Sequence, residues 1–143
     1  MIAFQSDQSE SKENSNMLTK ILLIEDDPTM RKLLETYLNF EGFEVSVSDG
    51  EDRLEMVIDQ VKQEKPDVVL MDVYLNTLNG FDLLKAMRGD EKISDVRVIM
   101  SSGADVSERC ILEGADAFVM KPYMPDDLVK SIRRVIAGES DQK

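Results

Sequence analysis

Five short runs of β-branched and aliphatic residues recur along this chain, separated by segments whose apolar residues return every three to four positions. The runs are Lys20 to Ile24, Phe43 to Val47, Val68 to Met71, Val96 to Met100 and Ala117 to Met120. Each has the length of a strand, and most are apolar throughout rather than alternating. Strands read that way when both faces of their sheet are covered. Strand and helix patterns in regular alternation therefore predict an α/β fold with a buried parallel sheet.

The intervening segments carry helical signals. Met30, Leu33, Leu34, Tyr37 and Leu38 fall at i, i+3, i+4, i+7 and i+8, with Asp27 placed to cap, Pro28 at the first helical position and Gly42 beyond the end. A second amphipathic stretch uses Leu54, Val57, Ile58 and Val61, a third runs from Phe81 through Leu84 to Met87, and the last has Leu128, Ile132, Val135 and Ile136 after Pro125. The segment from Val106 to Leu112 has few apolar anchors and is expected to be the least firmly packed helix.

A length of 143 residues leaves room for one domain. The opening stretch holds Ser6, Ser9, Ser11 and Ser15 among other polar residues and buries too little to offset its ordering entropy. Residues 1–17 are expected to be a disordered tail, 18–138 the folded domain, and 139–143 a short C-terminal tail.

Composition removes whole classes of chemistry. The chain has no histidine, which eliminates Ser-His-Asp and Cys-His nucleophiles and the usual zinc sites. Its single cysteine, Cys110, reads as a small buried filler and leaves no internal disulfide. Seventeen basic residues against 29 acidic give a net charge of −12, which disfavours direct contact with nucleic acid. No apolar run has membrane-spanning length, and the N-terminus lacks the features of a signal peptide, so a cytoplasmic location is expected.

The unusual polar residues fall at the carboxyl ends of the predicted strands, where open parallel α/β sheets bind ligands. Glu25 and Asp26 follow the first strand, Asp72 the third, Ser101 and Ser102 the fourth, and Lys121 the fifth. Three converging carboxylates call for a hard divalent cation, and Mg²⁺ is the natural occupant. Beside such an ion Asp72 can attack phosphorus, while Lys121 and a serine hydroxyl meet the phosphoryl oxygens. The constellation describes a phosphoryl-acceptor site.

Read in order, Ile21-Leu22-Leu23-Ile24-Glu25-Asp26-Asp27-Pro28, Pro66-Asp67-Val68-Val69-Leu70-Met71-Asp72, Ser101-Ser102-Gly103 and Val119-Met120-Lys121-Pro122-Tyr123 resemble the motifs of a response-regulator receiver domain, over roughly residues 18 to 138. The resemblance implies a doubly wound, flavodoxin-like (βα)5 sheet in the order 2-1-3-4-5. It makes Asp72 the phosphoacceptor and Asp26 a direct metal ligand. Glu25 would ligate through water, and the backbone carbonyl of Tyr74 would complete the shell. Ser102 becomes the switch hydroxyl, Gly103 the neighbour whose N–H approaches the phosphoryl group, Lys121 the phosphate-binding lysine, Pro122 a cis-proline and Phe118 the switch aromatic, although Phe118 also reads as plain core. The register between Ser101 and Ser102 rests on this match alone.

The chain departs from the family at Asn76, where proline is usual, and at Asn79, where aspartate is common, which puts the rigidity of that loop in question. Tyr74 and Ala104 flank the path of a hydrolytic water in the family, so a bulky tyrosine there implies a longer-lived phosphorylated state.

The resemblance further implies phosphorylation by a sensor histidine kinase or a phosphotransfer protein, and a downstream protein target on the face of the fourth helix, fifth strand and fifth helix. Phosphorylation-dependent homodimerisation is a further implication. Arg109, Phe118 and Lys130 are candidates on that face, whereas Arg133 and Arg134 read as a solvated helix surface. No membrane insertion, no turnover of a separate substrate and a stand-alone receiver without an output domain are expected. A phosphorylation-independent scaffold and a phosphorelay intermediate remain open alternatives. A phosphatase of the haloacid dehalogenase type fits poorly, because Asp72 is followed two residues later by Tyr74 rather than a second aspartate, and a flavin site lacks its phosphate loop after the first strand.

Overall fold

The structure, a computed structural model, describes residues 18–141. The expected tail over residues 1–17 lies outside them. Five strands alternate with five helices: β1 (Lys20–Ile24), α1 (Pro28–Phe40), β2 (Glu44–Ser48), α2 (Leu54–Glu64), β3 (Val68–Asp72), α3 (Gly80–Arg88), β4 (Arg97–Ser102), α4 (Ser107–Leu112), β5 (Ala117–Met120) and α5 (Pro125–Ile136). The strands form one parallel sheet in the order β2-β1-β3-β4-β5.

Strand parity divides the core into two layers, because successive side chains point to opposite faces. Ile21, Leu23, Val68, Leu70, Ile99 and Val119 face one side, under Leu34 and Leu38 of α1 and Leu128, Val129, Ile132 and Val135 of α5. Leu22, Ile24, Val69, Met71, Val98 and Met100 face the other, under Val57 and Val61 of α2, Phe81, Leu83, Leu84 and Met87 of α3, and Cys110 of α4. Two-sided burial is why the central runs are continuously apolar. The outermost strand β2 is only half-buried along most of its length.

Helix starts follow the sequence signals. Asp27 Oδ1 accepts from the N–H groups of Thr29 and Met30 at 2.9 and 3.2 Å, capping α1 ahead of Pro28. Asn79 Oδ1 accepts from Phe81 N–H at 2.8 Å and caps α3. The segment after β4 supplies only a six-residue helix with no side-chain cap, Cys110 as its one buried residue and Leu112 exposed.

Three strands depart from their expected bounds, β3 by running one residue further, to Asp72. Phe43 precedes β2, where its ring joins the α1/α5 layer and carries the Arg133 guanidinium 5.2 Å above it. Arg133 also lies 3.4 Å from Glu41 while its side chain stays more than half exposed, on the expected solvated face of α5. The fourth strand begins at Arg97 rather than Val96 and runs on through both serines, since the ladder with β3 and β5 pairs Asp72 with Ser101 and Ser102 with Met120. The described end of the chain is not loose: Asp141 donates its N–H to Asp116 O at 2.7 Å and accepts from Arg134 at 2.9 Å.

Candidate phosphoryl-acceptor site

Three loops at the carboxyl edge of the sheet bring the acids together. Glu25 is held by its own backbone, donating its N–H to Ser48 O at 3.1 Å and accepting at its carbonyl from Arg31 at 2.8 Å. Its carboxylate accepts from Asp27 N–H at 3.2 Å. Asp72 ends β3, and the chain turns beneath it so tightly that Gly80 N–H donates to Val73 O at 2.7 Å. A Cβ on Gly80 would stand 2.5 Å from the carbonyl oxygen of Asp72 and 3.0 Å from Val73 Cα. Close approach, not a left-handed φ, therefore requires glycine at this position.

The loop between Asp72 and α3 is tied down by its asparagine. Asn76 donates its backbone N–H to Asp26 Oδ2 at 2.8 Å and its amide to Glu51 at 3.2 Å, while Thr77 Oγ1 donates to Gly50 O at 2.9 Å. Gly50 adopts φ +74, a conformation that favours glycine, and a Cβ there would meet Asp26 and Leu75 at 3.3 to 3.4 Å. Anchoring by hydrogen bonds thus stands where the resemblance led one to expect proline.

Carboxylate oxygens of Glu25, Asp26 and Asp72 lie within 4.8 Å of one another. Glu25 and Asp72 are 3% and 8% exposed. Lys121 answers them from the end of β5, its Nζ 2.8 Å from Asp72 Oδ1, 2.9 Å from Oδ2 and 3.6 Å from Glu25 Oε1. Burial and then the charge of Asp72 push the Glu25 carboxyl above its ordinary value. Burial works against the Lys121 charge, but bonding to Asp72 and the charge of Glu25 outweigh it and raise its pKa. The Tyr123 phenol is likewise held protonated, by burial and by the charges of Asp72 and Glu25.

One ammonium among three carboxylates leaves the site negative. At an effective dielectric near 20, two like charges at such spacing repel by about 3–4 kcal/mol, several times what an exposed ion pair returns. An all-oxygen, under-compensated donor set of this kind fits a hard divalent cation such as Mg²⁺.

The adjacent serines diverge. Ser101, register partner of Asp72, shares its face and donates from Oγ to Asp72 Oδ1 at 2.6 Å. Ser102, 6% exposed, faces the opposite layer and accepts from Ala104 N–H at 3.1 Å. The family match selected Ser102; strand parity brings Ser101 to the carboxylate. Ser102 nonetheless adjoins the lysine strand, its carbonyl accepting from Lys121 N–H at 2.8 Å. The Lys121–Pro122 peptide bond is cis. Gly103 is exposed at the mouth, Phe118 is half-buried against the α2/α3/α4 layer, and Tyr74 is 57% exposed.

A family profile described as the response regulator receiver domain matches residues 21–133. The chain belongs to the response regulator receiver family. A receiver of this sequence is 40% identical over 121 residues to a probable transcriptional regulator, ycf27, of Guillardia theta, covering 82% of this chain and 45% of that one. It is 33% identical over 130 residues to the DNA-binding response regulator MtrA of Mycolicibacterium smegmatis, covering 88% and 54%. The chain spans about half the length of the curated relatives it matches. Among solved structures, a CheY-like receiver domain protein from Methanospirillum hungatei superposes with a TM-score of 0.74 at 27% identity, covering 85% of this chain and 95% of that one.

Two arginines outside the acid cluster are bonded within the domain. Arg109, a candidate for the partner face, lies with its guanidinium 3.9 Å above the Phe81 ring and 2.7 Å from Glu113, so part of its bonding capacity is spent within the domain. Arg88, which the sequence did not single out, donates to the carbonyls of Gly114, Ser94 and Val96 and pairs with Asp116 at 3.1 Å. It fastens the end of α3 to the segments that lead into β4 and β5.

Proposed function

We propose that this receiver accepts a phosphoryl group on Asp72 in a Mg²⁺-dependent reaction and thereby changes a protein-binding surface. The observation that carries this reading is the Lys121 ammonium lying across both oxygens of Asp72 beside the Glu25–Asp26 acids. A carboxylate oxygen of Asp72 attacks phosphorus, the bond from phosphorus to the donor's leaving atom breaks, and its electron pair departs with that atom: the imidazole nitrogen of a phosphohistidine, or the acetate oxygen of acetyl phosphate. Asp26 and Asp72 would hold the cation directly, the Tyr74 carbonyl would complete its shell, and Glu25 would reach it through water. The bound ion supplies neutralisation of charge on the transferring group. Lys121 holds its positive charge against Asp72 before transfer and meets the phosphoryl oxygens after it.

Histidine kinases and phosphotransfer proteins are the donors in this reading, and no separate substrate is turned over. Ser102 and Phe118 act as the switch pair, with the Gly103 N–H toward the phosphoryl group. The face of α4, β5 and α5 is the output, where Leu112, Met120 and Lys130 are exposed; pairing of two copies there would be one form of output. Among the described residues no helix is long and apolar enough to cross a membrane, and a cytoplasmic site of action fits the proposal. The relatives named as DNA-binding or transcriptional regulators are about twice as long as the matched region, so the end of this sequence says nothing about an output domain.

Intact mass after incubation with Mg²⁺ and acetyl phosphate tests the proposal. One phosphoryl addition is expected, absent from Asp72→Asn and from a magnesium-free sample. No addition to the unaltered protein would favour a phosphorylation-independent scaffold instead.

A further inference from the structure

The two oxygens of the Asp72 carboxylate are not equivalent. Oδ1 accepts from the Ser101 hydroxyl at 2.6 Å with the Lys121 ammonium 2.8 Å away, whereas Oδ2 accepts from Lys121 at 2.9 Å. We propose that Ser101 is a positioning residue for the nucleophile, whose hydroxyl holds Oδ1 and leaves Oδ2 as the oxygen that attacks phosphorus. This inference rests on the phosphoacceptor reading above.

The geometry follows from the sheet. Asp72 and Ser101 are register partners at the end of the β3–β4 ladder, so parity puts both side chains on the α1/α5 face with no choice of rotamer able to separate the layers. On the other flank of β3 lies β1, whose end carries Glu25 and Asp26. Asp72 therefore stands between acids on one side and a hydroxyl on the other. Lys121 lies 2.8 Å from Oδ1 and 2.9 Å from Oδ2 and makes its hydrogen bond to Oδ2. Ser101 supplies the hydrogen bond to Oδ1.

A carboxylate turns readily about its terminal bond unless a directional partner fixes it. Lys121 is a compact charge with rotatable donors and supplies little direction. A hydroxyl bonded to a charged oxygen supplies direction and draws electron density from the oxygen it contacts, which makes the other oxygen the better nucleophile. During transfer Oδ2 gains the bond to phosphorus and the donor's leaving atom takes the electron pair, while Ser101 keeps its bond to Oδ1, which becomes the carbonyl oxygen of the acyl phosphate.

The test compares Ser101→Val, Ser101→Thr and Ser101→Ala with the unaltered protein, using acetyl phosphate over a series of Mg²⁺ concentrations that reaches saturation and following phosphoryl gain by intact mass. Val and Thr have nearly the same shape and differ by the hydroxyl. The expected result is a limiting rate roughly 3- to 10-fold lower for Val and Ala, within about twofold of unaltered for Thr, with the half-saturating Mg²⁺ concentration unchanged. Thermal unfolding confirms that each variant is folded, and Ala reads the effect if Val does not pack. Phosphoryl gain at the unaltered rate in Val or Ala would overturn the inference. So would a Thr variant as slow as Val, or a parallel weakening of Mg²⁺ binding. Failure of the unaltered protein to gain phosphate would strike the phosphoacceptor reading itself, and the Ser101 role with it.

Discussion

The backbone N–H of Asn76 donates to Asp26 Oδ2 across 2.8 Å, joining the loop that follows the acceptor aspartate to an acid at the end of β1. The bond orients one carboxylate of the cluster, and it exists only because residue 76 has an N–H to give.

Replacing Asn76 by proline deletes that donor, whereas alanine keeps it and loses only the side-chain bond to Glu51. Asn76→Pro is expected to weaken Mg²⁺ binding by roughly 3- to 10-fold, about 1 kcal/mol, and Asn76→Ala to leave it nearly unchanged. Titration calorimetry of both variants checks this; equal affinities would make the bond incidental.

Glu25 gives a prediction with a definite sign in pH. Its folded pKa is raised above 4.5, so the folded state holds that proton more tightly than the unfolded chain does. This group's contribution to stability is accordingly greatest below 4.5 and declines as pH rises through the raised folded value. Glu25→Gln removes the charge and keeps an acceptor for Asp27 N–H. Without metal at neutral pH, the variant is expected to melt roughly 2–4 °C higher than the unaltered protein, and with Mg²⁺ to gain less from the ion. Calorimetric scans with and without Mg²⁺ decide it, and a lower melting point in the metal-free scan would contradict the sign.

How much of this was legible beforehand depended on whether a signal was local. The strands and the two-sided cover of the sheet were visible because burial on both faces writes itself as continuous apolar runs, whereas the strand order came only with the resemblance; the bounds of α1 were visible because Asp27 and Pro28 act locally at its start and Gly42 just past its end. The convergence of Glu25, Asp26, Asp72 and Lys121 could be anticipated from their shared place at strand ends. Ser101 could not be told from Ser102, since adjacent residues face opposite ways and only the pairing with Asp72 fixes which is which. Arg88 looked like any base ending a helix, because its partners Ser94, Val96, Gly114 and Asp116 are near it only in the fold. Gly80 carries no positive φ to betray it; its need for glycine comes from the Asp72 carbonyl.

Arg88→Met would leave three carbonyls short of a donor and Asp116 without its cation. A loss of about 2–4 kcal/mol is expected in urea unfolding, with the acceptor chemistry retained in the folded fraction. A loss under about 0.5 kcal/mol would place Arg88 with ordinary surface residues.

Tyr74 is exposed two residues beyond Asp72, on the side from which the resemblance brings the hydrolytic water. Tyr74→Ala is expected to shorten the lifetime of the phosphorylated protein by roughly 3- to 10-fold by opening that path. Decay of the phosphorylated mass after removal of acetyl phosphate measures it, and an unchanged half-life would show that the ring shields nothing.

Gly80→Ala is expected to slow phosphoryl gain as well as to cost about 2–3 kcal/mol of stability, because the added Cβ must push on the carbonyl of Asp72 or on Met100. Parallel urea and intact-mass measurements separate the two effects. Stability lost with the rate per folded molecule intact would mean that the strand end yields without moving its carboxylate.

The paired serines have a consequence for how the two halves of the molecule communicate. The sheet is a partition: α1 and α5 lie against one side, α2, α3 and α4 against the other, and apolar side chains insulate each side from polar events on its neighbour. Ser101 belongs to the compartment of Asp72 and Ser102 to the compartment of Cys110 and α4. One peptide unit separates them. At the acceptor end of the sheet β4 thus offers a hydroxyl to each compartment from adjacent positions.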